Sequence, residues 1–368
     1  MSKTVLLTAG GSGGHLFPAQ ALADELIRRG WIVELATDER ADKYGSAFPA
    51  RKIHIIASET LRGRNPVALA RTAVRLLLGT VQARKVIRSL KPDVVAGFGG
   101  YPTFPPMFAA RLTGTPSILH EANGVMGRAN RLLAKGVTAI ATSLPMDNLP
   151  EDFTDKLVET GNPVRDAVLN ASEIFYTPPD THGPFRLLVF GGSQGARFFS
   201  DLLPPALEKL APEVRARLRV VQQCRPEDMD RVQAAYDGLG VQAECAPFFQ
   251  DMPQRIAQAQ LVICRSGASS VSELSVLGRP AILVPLPGAL DQDQAANAKV
   301  LEKVGGGWPI PQADLFPARM TSELERFMNA PDLLIEAARQ ARSVARPDAV
   351  KRLADLVEKV SNSEGDRP

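Results

Sequence analysis

The chain has 368 residues, 45% of them apolar and 23% charged, with a formal net charge of only +3. These figures exclude a disordered, fibrous or strongly acidic chain, and the length exceeds one comfortable core, so two globular domains are expected. The cysteines, Cys224, Cys245 and Cys264, are scattered without CxxC or Cys/His pairing, which argues against a disulfide scaffold or zinc site and for reduced thiols in a cytosolic protein.

In chain order, Thr4-Val5-Leu6-Leu7-Thr8 reads as a buried strand, followed by Gly10-Gly11-Ser12-Gly13-Gly14. That apolar run is only a strand's length and ends in glycines, so neither a signal peptide nor a membrane span is expected there. A helix follows with Pro18 near its first turn, an apolar face at Ala19, Leu22, Leu26 and Ile27, and a stop at Gly30. A second strand is read at 31–35 and a helix over 66–90, with further strands at 92–97, 116–120, 137–142 and 157–160. Strands alternating with helices imply a parallel sheet covered on both faces.

The rhythm breaks at Gly161-Asn162-Pro163-Val164-Arg165 and in the turn-rich stretch 176–184. It then restarts with a strand at 185–190, the loop Gly191-Gly192-Ser193-Gln194-Gly195 and a helix, with later strands at 218–222, 260–264 and 281–284. The fold class is therefore α/β, with two doubly wound domains facing each other across a cleft. The expected division is 1–163 and 164–345, and a C-terminal helix at about 346–362 is expected to pack back on the first domain.

A glycine-rich turn between a strand end and a helix start lets backbone approach a ligand, and the helix start offers unpaired N–H groups to an anion. One such loop could equally be a tight turn. Two of them, with a third cluster at Gly97-Phe98-Gly99-Gly100, favour an anionic ligand. The segment Arg265-Ser266-Gly267-Ala268-Ser269-Ser270-Val271-Ser272-Glu273 follows the strand Leu261-Val262-Ile263-Cys264. Its serines and glycine suit a diphosphate, and Glu273, one turn inside the helix, suits a pair of ribose hydroxyls. Read alone, it is an ordinary helix cap.

Taken together, Gly10 to His15, Gly99-Gly100-Tyr101, His120-Glu121-Ala122-Asn123-Gly124, Gly161 to Arg165, Gly191 to Ala196, Arg265 to Ala268, Glu273, Asp293-Gln294 and Asn297 resemble the MurG family. These are the peptidoglycan N-acetylglucosaminyltransferases of glycosyltransferase family 28, and the likeness runs over nearly the whole chain. The resemblance implies the GT-B architecture of two facing Rossmann-like domains. It also implies inverting transfer of N-acetylglucosamine from its UDP donor to the muramyl sugar of a lipid-linked diphospho-muramyl-pentapeptide. It places Ser12, Gly13, Gly14, Asn123, Arg165, Ser193, Ala268, Ser269, Ser270, Val271, Ser272, Glu273 and Gln294 at the donor. Glu273 would hold the ribose, Gln294 the sugar hydroxyls, and Phe249 would lie beside the uracil. Ser12 replaces the commoner threonine and keeps its hydroxyl, whereas Ala122 stands where glutamine is frequent and lacks an amide.

Inverting transfer needs a base for the acceptor hydroxyl and a counter-charge for the departing diphosphate. His15, at the end of the first glycine loop, is the expected base. His120 and Glu121 are expected to orient rather than react, and His54 and His182 show no partner pattern. The leaving-group charge would fall to the helix starts after Ser193 and Ser266, helped by Arg265 or Arg165. Asp228-Met229-Asp230 reads as solvated helix surface and Asp291-Gln292-Asp293 as a sugar-contacting loop and helix start. No metal or other cofactor is expected, with a loosely held divalent ion left open.

Between Glu59 and Asp93 there are eight cations and no acid. The helix over 66–90 carries Val67, Ala70, Val74, Leu77, Leu78 and Val81 on one face, with Leu69, Ala73 and Leu76 on a second arc. That is more apolar surface than one lobe needs. An anionic membrane surface is the expected partner of the basic, apolar region 62–91. Peripheral placement on the cytoplasmic face of the bacterial inner membrane follows from the resemblance, and no nucleic-acid partner is expected. A UDP-sugar 2-epimerase, another glycolipid transferase and a non-catalytic nucleotide-binding module remain as alternatives. So does a nicotinamide oxidoreductase, for which Asp38-Glu39 would supply the acid but the first loop fails the GxGxxG spacing.

Overall fold

The structure, a computed structural model, describes residues 2–10, 13–39, 48–59, 65–146, 151–191, 197–288 and 292–362. The chain forms two compact units, one of Met1–Arg165 with Pro347–Pro368 and one of Asp166–Arg346. The division falls two residues later than the sequence places it, so Arg165 belongs to the first unit.

In the first unit the described strands are β1 (Thr4–Thr8), β2 (Ile32–Thr37), β3 (Lys52–Ile55), β4 (Val94–Gly97), β5 (Ser117–Glu121), β6 (Ala139–Thr142) and β7 (Leu157–Glu159). They form one sheet in the order β3-β2-β1-β4-β5-β6-β7 with every pairing parallel. The central strands are apolar at successive positions because helices cover both faces. On one face α1 (Gly13–Arg28) packs Leu22 and Leu26 over Val5, Leu7 and Val94. On the other, α2 (Pro66–Leu90), α3 (Phe104–Thr113) and α4 (Arg128–Ala134) enclose Leu6, Val95 and Leu119 with Ile87, Met107 and Leu133. Helix α1 starts at Gly13, five residues before Pro18, which lies inside it. Ile27, read as part of its core face, is exposed.

The second unit has β8 (Phe185–Phe190), β9 (Leu218–Gln223), β10 (Gln242–Ala246), β11 (Leu261–Cys264), β12 (Ala281–Leu283) and β13 (Gly307–Pro309), ordered β10-β9-β8-β11-β12-β13 and parallel throughout. Its helices are α5 (Asp166–Ala171), α6 (Arg197–Glu208), α7 (Pro212–Arg215), α8 (Met229–Gly238), α9 (Met252–Gln258), α10 (Ala268–Leu277), α11 (Asp293–Val304), α12 (Pro317–Met328) and α13 (Pro331–Ser343). The core joins Phe185, Leu187 and Val189 to Phe199, Leu203, Phe327 and Leu334.

Finally α14 (Ala349–Asn362) returns to the first unit, where Leu353, Ala354, Val357 and Val360 complete the core beneath α1. Each such burial is worth about 1.5–3 kcal/mol for the larger side chains. Arg29 adds ion pairs to Asp355 at 2.6 Å and Glu358 at 3.1 Å.

In each sheet the strand order reverses once, between β1 and β4 and between β8 and β11. Loops at such a switch point diverge and leave a crevice outside the strand ends. The loops after β1 and β4 meet there, with Gly10 N–H donating to Gly99 O at 3.1 Å. In the second unit the corresponding loops follow Phe190 and Cys264.

Candidate active site

His15 is the third residue of α1, and bare backbone surrounds its ring. A Cβ at Gly99 would stand 3.2 Å from His15 Cδ2, one at Gly100 3.5 Å from Cε1, and one at Gly10 3.4 Å from Nδ1. Gly99 and Gly100 have φ of +87° and +79°, a region that costs glycine nothing and other residues much. Two loops of the switch point thus form a glycine seat for one imidazole. Gly13 and Gly14 open the same helix. A Cβ at Gly13 would meet the Phe17 ring at 3.0 Å, whereas one at Gly14 would meet nothing within 4 Å.

His120, on β5, is 2% exposed, with Nε2 2.9 Å from Ser143 Oγ and its ring centroid 5.0 Å from that of Phe98. Burial pushes its pKa down to about 4 against the pull of the Gly161 carbonyl, and charge on His15 depresses it further. The ring is thus held neutral and out of solvent, with Ser143 Oγ beside Nε2. Burial raises the Glu121 carboxyl above the usual range, opposed by the hydrogen bonds it accepts. Those come from Asn123 N at 3.0 Å, Asn123 Nδ2 at 3.2 Å, Gly127 N at 3.0 Å and Asn130 Nδ2 at 2.7 Å. One buried carboxylate therefore organises the 122–127 loop and fixes Asn123. Arg165 lies with its guanidinium 4.1 Å over the Phe17 ring, close to the start of α1. Asn162, also buried, has no hydrogen-bond partner for either side-chain polar atom among the described residues, and its sequence context suggests no role of its own.

In the second unit α10 is preceded by Gly267, a cap residue with no side chain to offer, and its first turn contains no acid. The leading N–H groups and the positive end of the helix dipole are left without a side-chain cap. Ser269 Oγ is buried there without a partner among the described residues. Glu273 follows one turn on, half-buried. Within this segment the Val271 side chain faces the core, leaving its backbone for a ligand, and Ser272 Oγ donates to Ala268 O at 2.9 Å.

Gln294, in the first turn of α11, accepts from Leu286 N at 3.0 Å through Oε1, and its carbonyl accepts from Ser266 Oγ at 2.8 Å. Asn297 Nδ2 donates to Ser266 O at 3.1 Å. The loop before α10 and the start of α11 are thereby tied together. Phe249 is almost wholly covered, with the Arg255 guanidinium 4.2 Å over its ring.

Several sequence expectations change. Arg265 does not present its guanidinium as a free counter-charge: it is buried and donates to Val284 O, Pro285 O and Gln312 Oε1. Asp228 is buried and paired with Arg231 at 2.9 Å rather than solvated. His54 has a partner after all, its Nε2 2.6 Å from Glu34 Oε2. Ser12, Ser193 and Asp291 lie outside the described residues; Asp293 begins α11 as expected. Among the described residues no three His, Cys, Asp or Glu side chains stand together as a metal site.

Two parallel-sheet nucleotide-type units, each with a switch point in its strand order, give the chain the GT-B architecture, and the family matches make it a glycosyltransferase. The N-terminal domain of glycosyltransferase family 28 matches residues 5–142 and the C-terminal domain of the same family matches residues 186–353. The chain belongs to this family and, within it, to the MurG enzymes. It is 54% identical over 363 residues, 98% of this chain and 96% of the relative, to the UDP-N-acetylglucosamine--N-acetylmuramyl-(pentapeptide) pyrophosphoryl-undecaprenol N-acetylglucosamine transferase of Chelativorans sp. (strain BNC1). The protein of that name from Rhizobium etli is also 54% identical, over 98% of this chain and 96% of its own. The crystal structure of Acinetobacter baumannii MurG superposes with a TM-score of 0.76 at 32% identity, covering 97% of this chain and 99% of that one. The UDP-GlcNAc 2-epimerase of Neisseria meningitidis, at 14% identity and a TM-score of 0.68 over 97% of this chain and all of its own, shares the fold alone.

Proposed function

We propose that this chain transfers N-acetylglucosamine from UDP-N-acetylglucosamine to the 4-hydroxyl of the muramyl sugar in undecaprenyl-diphospho-muramyl-pentapeptide, with inversion. Full-length likeness to transferases named for that reaction supports the substrate pair. The observation that carries the chemistry is the His15 imidazole seated among Gly10, Gly99 and Gly100 at the start of α1.

His15 takes the proton of the acceptor hydroxyl as its oxygen bonds to the anomeric carbon. The bond from that carbon to the β-phosphate oxygen breaks, and UDP leaves with the electron pair. Diphosphate charge is met by the uncapped N–H groups of α10 with Ser269, joined by Ser193 and Arg165. Glu273 accepts from the ribose, Gln294 contacts the sugar, and Phe249 backs the uracil. Ser12, Gly13, Gly14 and Asn123 complete the donor set. The reading contains no resident metal, and loss of UDP release on chelation of divalent ions would revise it.

The acceptor is lipid-borne, and α2 supports peripheral docking to an anionic membrane from the cytoplasmic side. Val74, Leu77, Leu78 and Val81 are exposed along it, Leu77 by 65%, beside Phe108 and Leu112 of α3. Arg75, Lys85 and Arg88 lie on the same helix. Apolar side chains ringed by cations suit a lipid headgroup boundary. Among the described residues no helix is long and apolar enough to cross a membrane. The role so defined lies in peptidoglycan synthesis, and through it in cell shape and division. UDP release by purified protein, measured with and without the lipid-linked acceptor, tests the proposal. Acceptor-independent epimer formation would overturn it, and His15→Ala should abolish turnover while UDP still binds.

A further inference from the structure

Arg279 is the largest fully buried side chain of the described residues, 1% exposed, and no carboxylate among them pairs with it. Its guanidinium donates instead to backbone carbonyls at the rear of three segments. Nε reaches Ala257 O at 2.8 Å, near the end of α9, and Nη2 donates to the same carbonyl. Nη1 donates to Leu277 O, the last carbonyl of α10, and at 3.1 Å to Gly278 O just beyond it. Nη2 also reaches Ile174 O at 2.7 Å, just past α5. The Tyr176 ring lies 5.5 Å away, and its hydroxyl donates to Gln260 O at 2.9 Å.

A buried cation is costly unless its donors are used, and here burial lowers the guanidinium pKa to about 10. The carbonyls it binds are not arbitrary. Helix α10 has no basic residue in its last turn and no acid in its first. The cation complementing its negative end is Arg279, folded back from two residues beyond Leu277. The opposite end of α10 is the uncapped start with Ser269. Helix α9, gripped at its rear by the same guanidinium, begins three residues after Phe249.

We propose that Arg279 is a positioning residue for the donor: it holds α9 and α10 from behind, in register with each other, so that the Phe249 side and the Ser269 end meet one UDP moiety. It also sets a positive charge against the carbonyl end of the helix that receives the diphosphate, offsetting the negative end of its dipole. The inference rests on the donor reading of α10 and deepens it, for Arg279 itself touches no substrate.

The test compares wild type with Arg279→Lys, which keeps charge but not the multiple donors, with Arg279→Met, which keeps neither, and with Leu334→Ala, a truncation in the main core of the same unit. UDP affinity is measured by calorimetry, donor KM and kcat by UDP release, and stability by thermal melting. Arg279→Met should weaken UDP binding and raise donor KM about tenfold while kcat falls by less than about threefold. Arg279→Lys should fall between it and wild type. Leu334→Ala should lower the melting temperature with donor KM unchanged. If Arg279→Met does not fold, Arg279→Lys decides alone. Wild-type UDP affinity in a folded Arg279 variant whose melting temperature drops like that of Leu334→Ala would overturn the proposal. Absence of UDP release by wild type in the presence of acceptor would instead overturn the donor reading, leaving the two failures distinguishable.

Discussion

The imidazole of His15 rests against the backbone of Gly99, so closely that a Cβ there would come within 3.3 Å of Nε2. With φ of +87° at Gly99, alanine at this position meets both backbone strain and the ring. Gly99→Ala should cost about 1–2 kcal/mol of stability. By displacing the base it should also lower kcat about a hundredfold, with UDP affinity little changed. Turnover assays and UDP calorimetry on one preparation check this, and near-normal kcat would remove the glycine seat from the mechanism.

His120 gives the first unit an acid sensitivity. The unfolded chain protonates this histidine near pH 6.5, whereas the folded chain refuses the proton down to about pH 4. Between these values the unfolded state binds more protons, so stability is full above the window and falls as pH drops through it. Each tenfold difference in proton affinity between the two states is worth about 1.4 kcal/mol, which makes the loss about 3 kcal/mol. Urea unfolding between pH 7 and 4.5 should show this slope, and His120→Gln should flatten it; matching slopes for the two proteins would exclude His120 as the source.

Ser269 separates stability from binding. Its hydroxyl is buried without a partner among the described residues, so Ser269→Ala should leave the ligand-free protein as stable or slightly more so. The same change should weaken UDP-N-acetylglucosamine binding by about 1 kcal/mol, the worth of one lost hydrogen bond. A melting curve with and without donor measures both quantities. Unchanged donor affinity would mean that the hydroxyl faces no phosphate.

The outward face of α2 predicts membrane behaviour. Leu77→Asp and Arg75→Glu alter exposed side chains and should shift stability by no more than about 0.5 kcal/mol. Each should reduce co-sedimentation with phosphatidylglycerol vesicles several-fold, and raised salt should weaken wild-type binding through the cationic contribution. Equal sedimentation of wild type and both variants would place the lipid contact elsewhere.

The strands that lead into the two glycine loops, the helix over 66–90 and the restart at Phe185 were legible because each couples a local pattern to a local structure. Strands β3, β10 and β13 were not. Lys52-Ile53-His54-Ile55 and Gln242-Ala243-Glu244-Cys245-Ala246 are outermost strands, half solvated and lacking the continuous apolar run of a central strand, while β13 has only three residues, Pro309 among them. What sequence missed at the site depends on partners far along the chain. Arg265 meets Gln312 47 residues on, His54 meets Glu34 20 residues back, and Arg279 meets Ile174 105 residues back. An arginine beside a glycine loop suggests a counter-charge; only the fold reveals that carbonyls have already claimed it.

The return of α14 to the first unit has a consequence for biosynthesis. Leu353, Ala354, Val357 and Val360 line the same core as Val5 and Leu22, so the half of the protein translated first cannot finish its interior until residues 349–362 have left the ribosome. The intervening half, Asp166–Arg346, has every strand and helix of its own beforehand and is free to mature earlier. Protease challenge of released chains truncated after Arg346 should therefore find the later-made half resistant and the earlier-made half still cleavable.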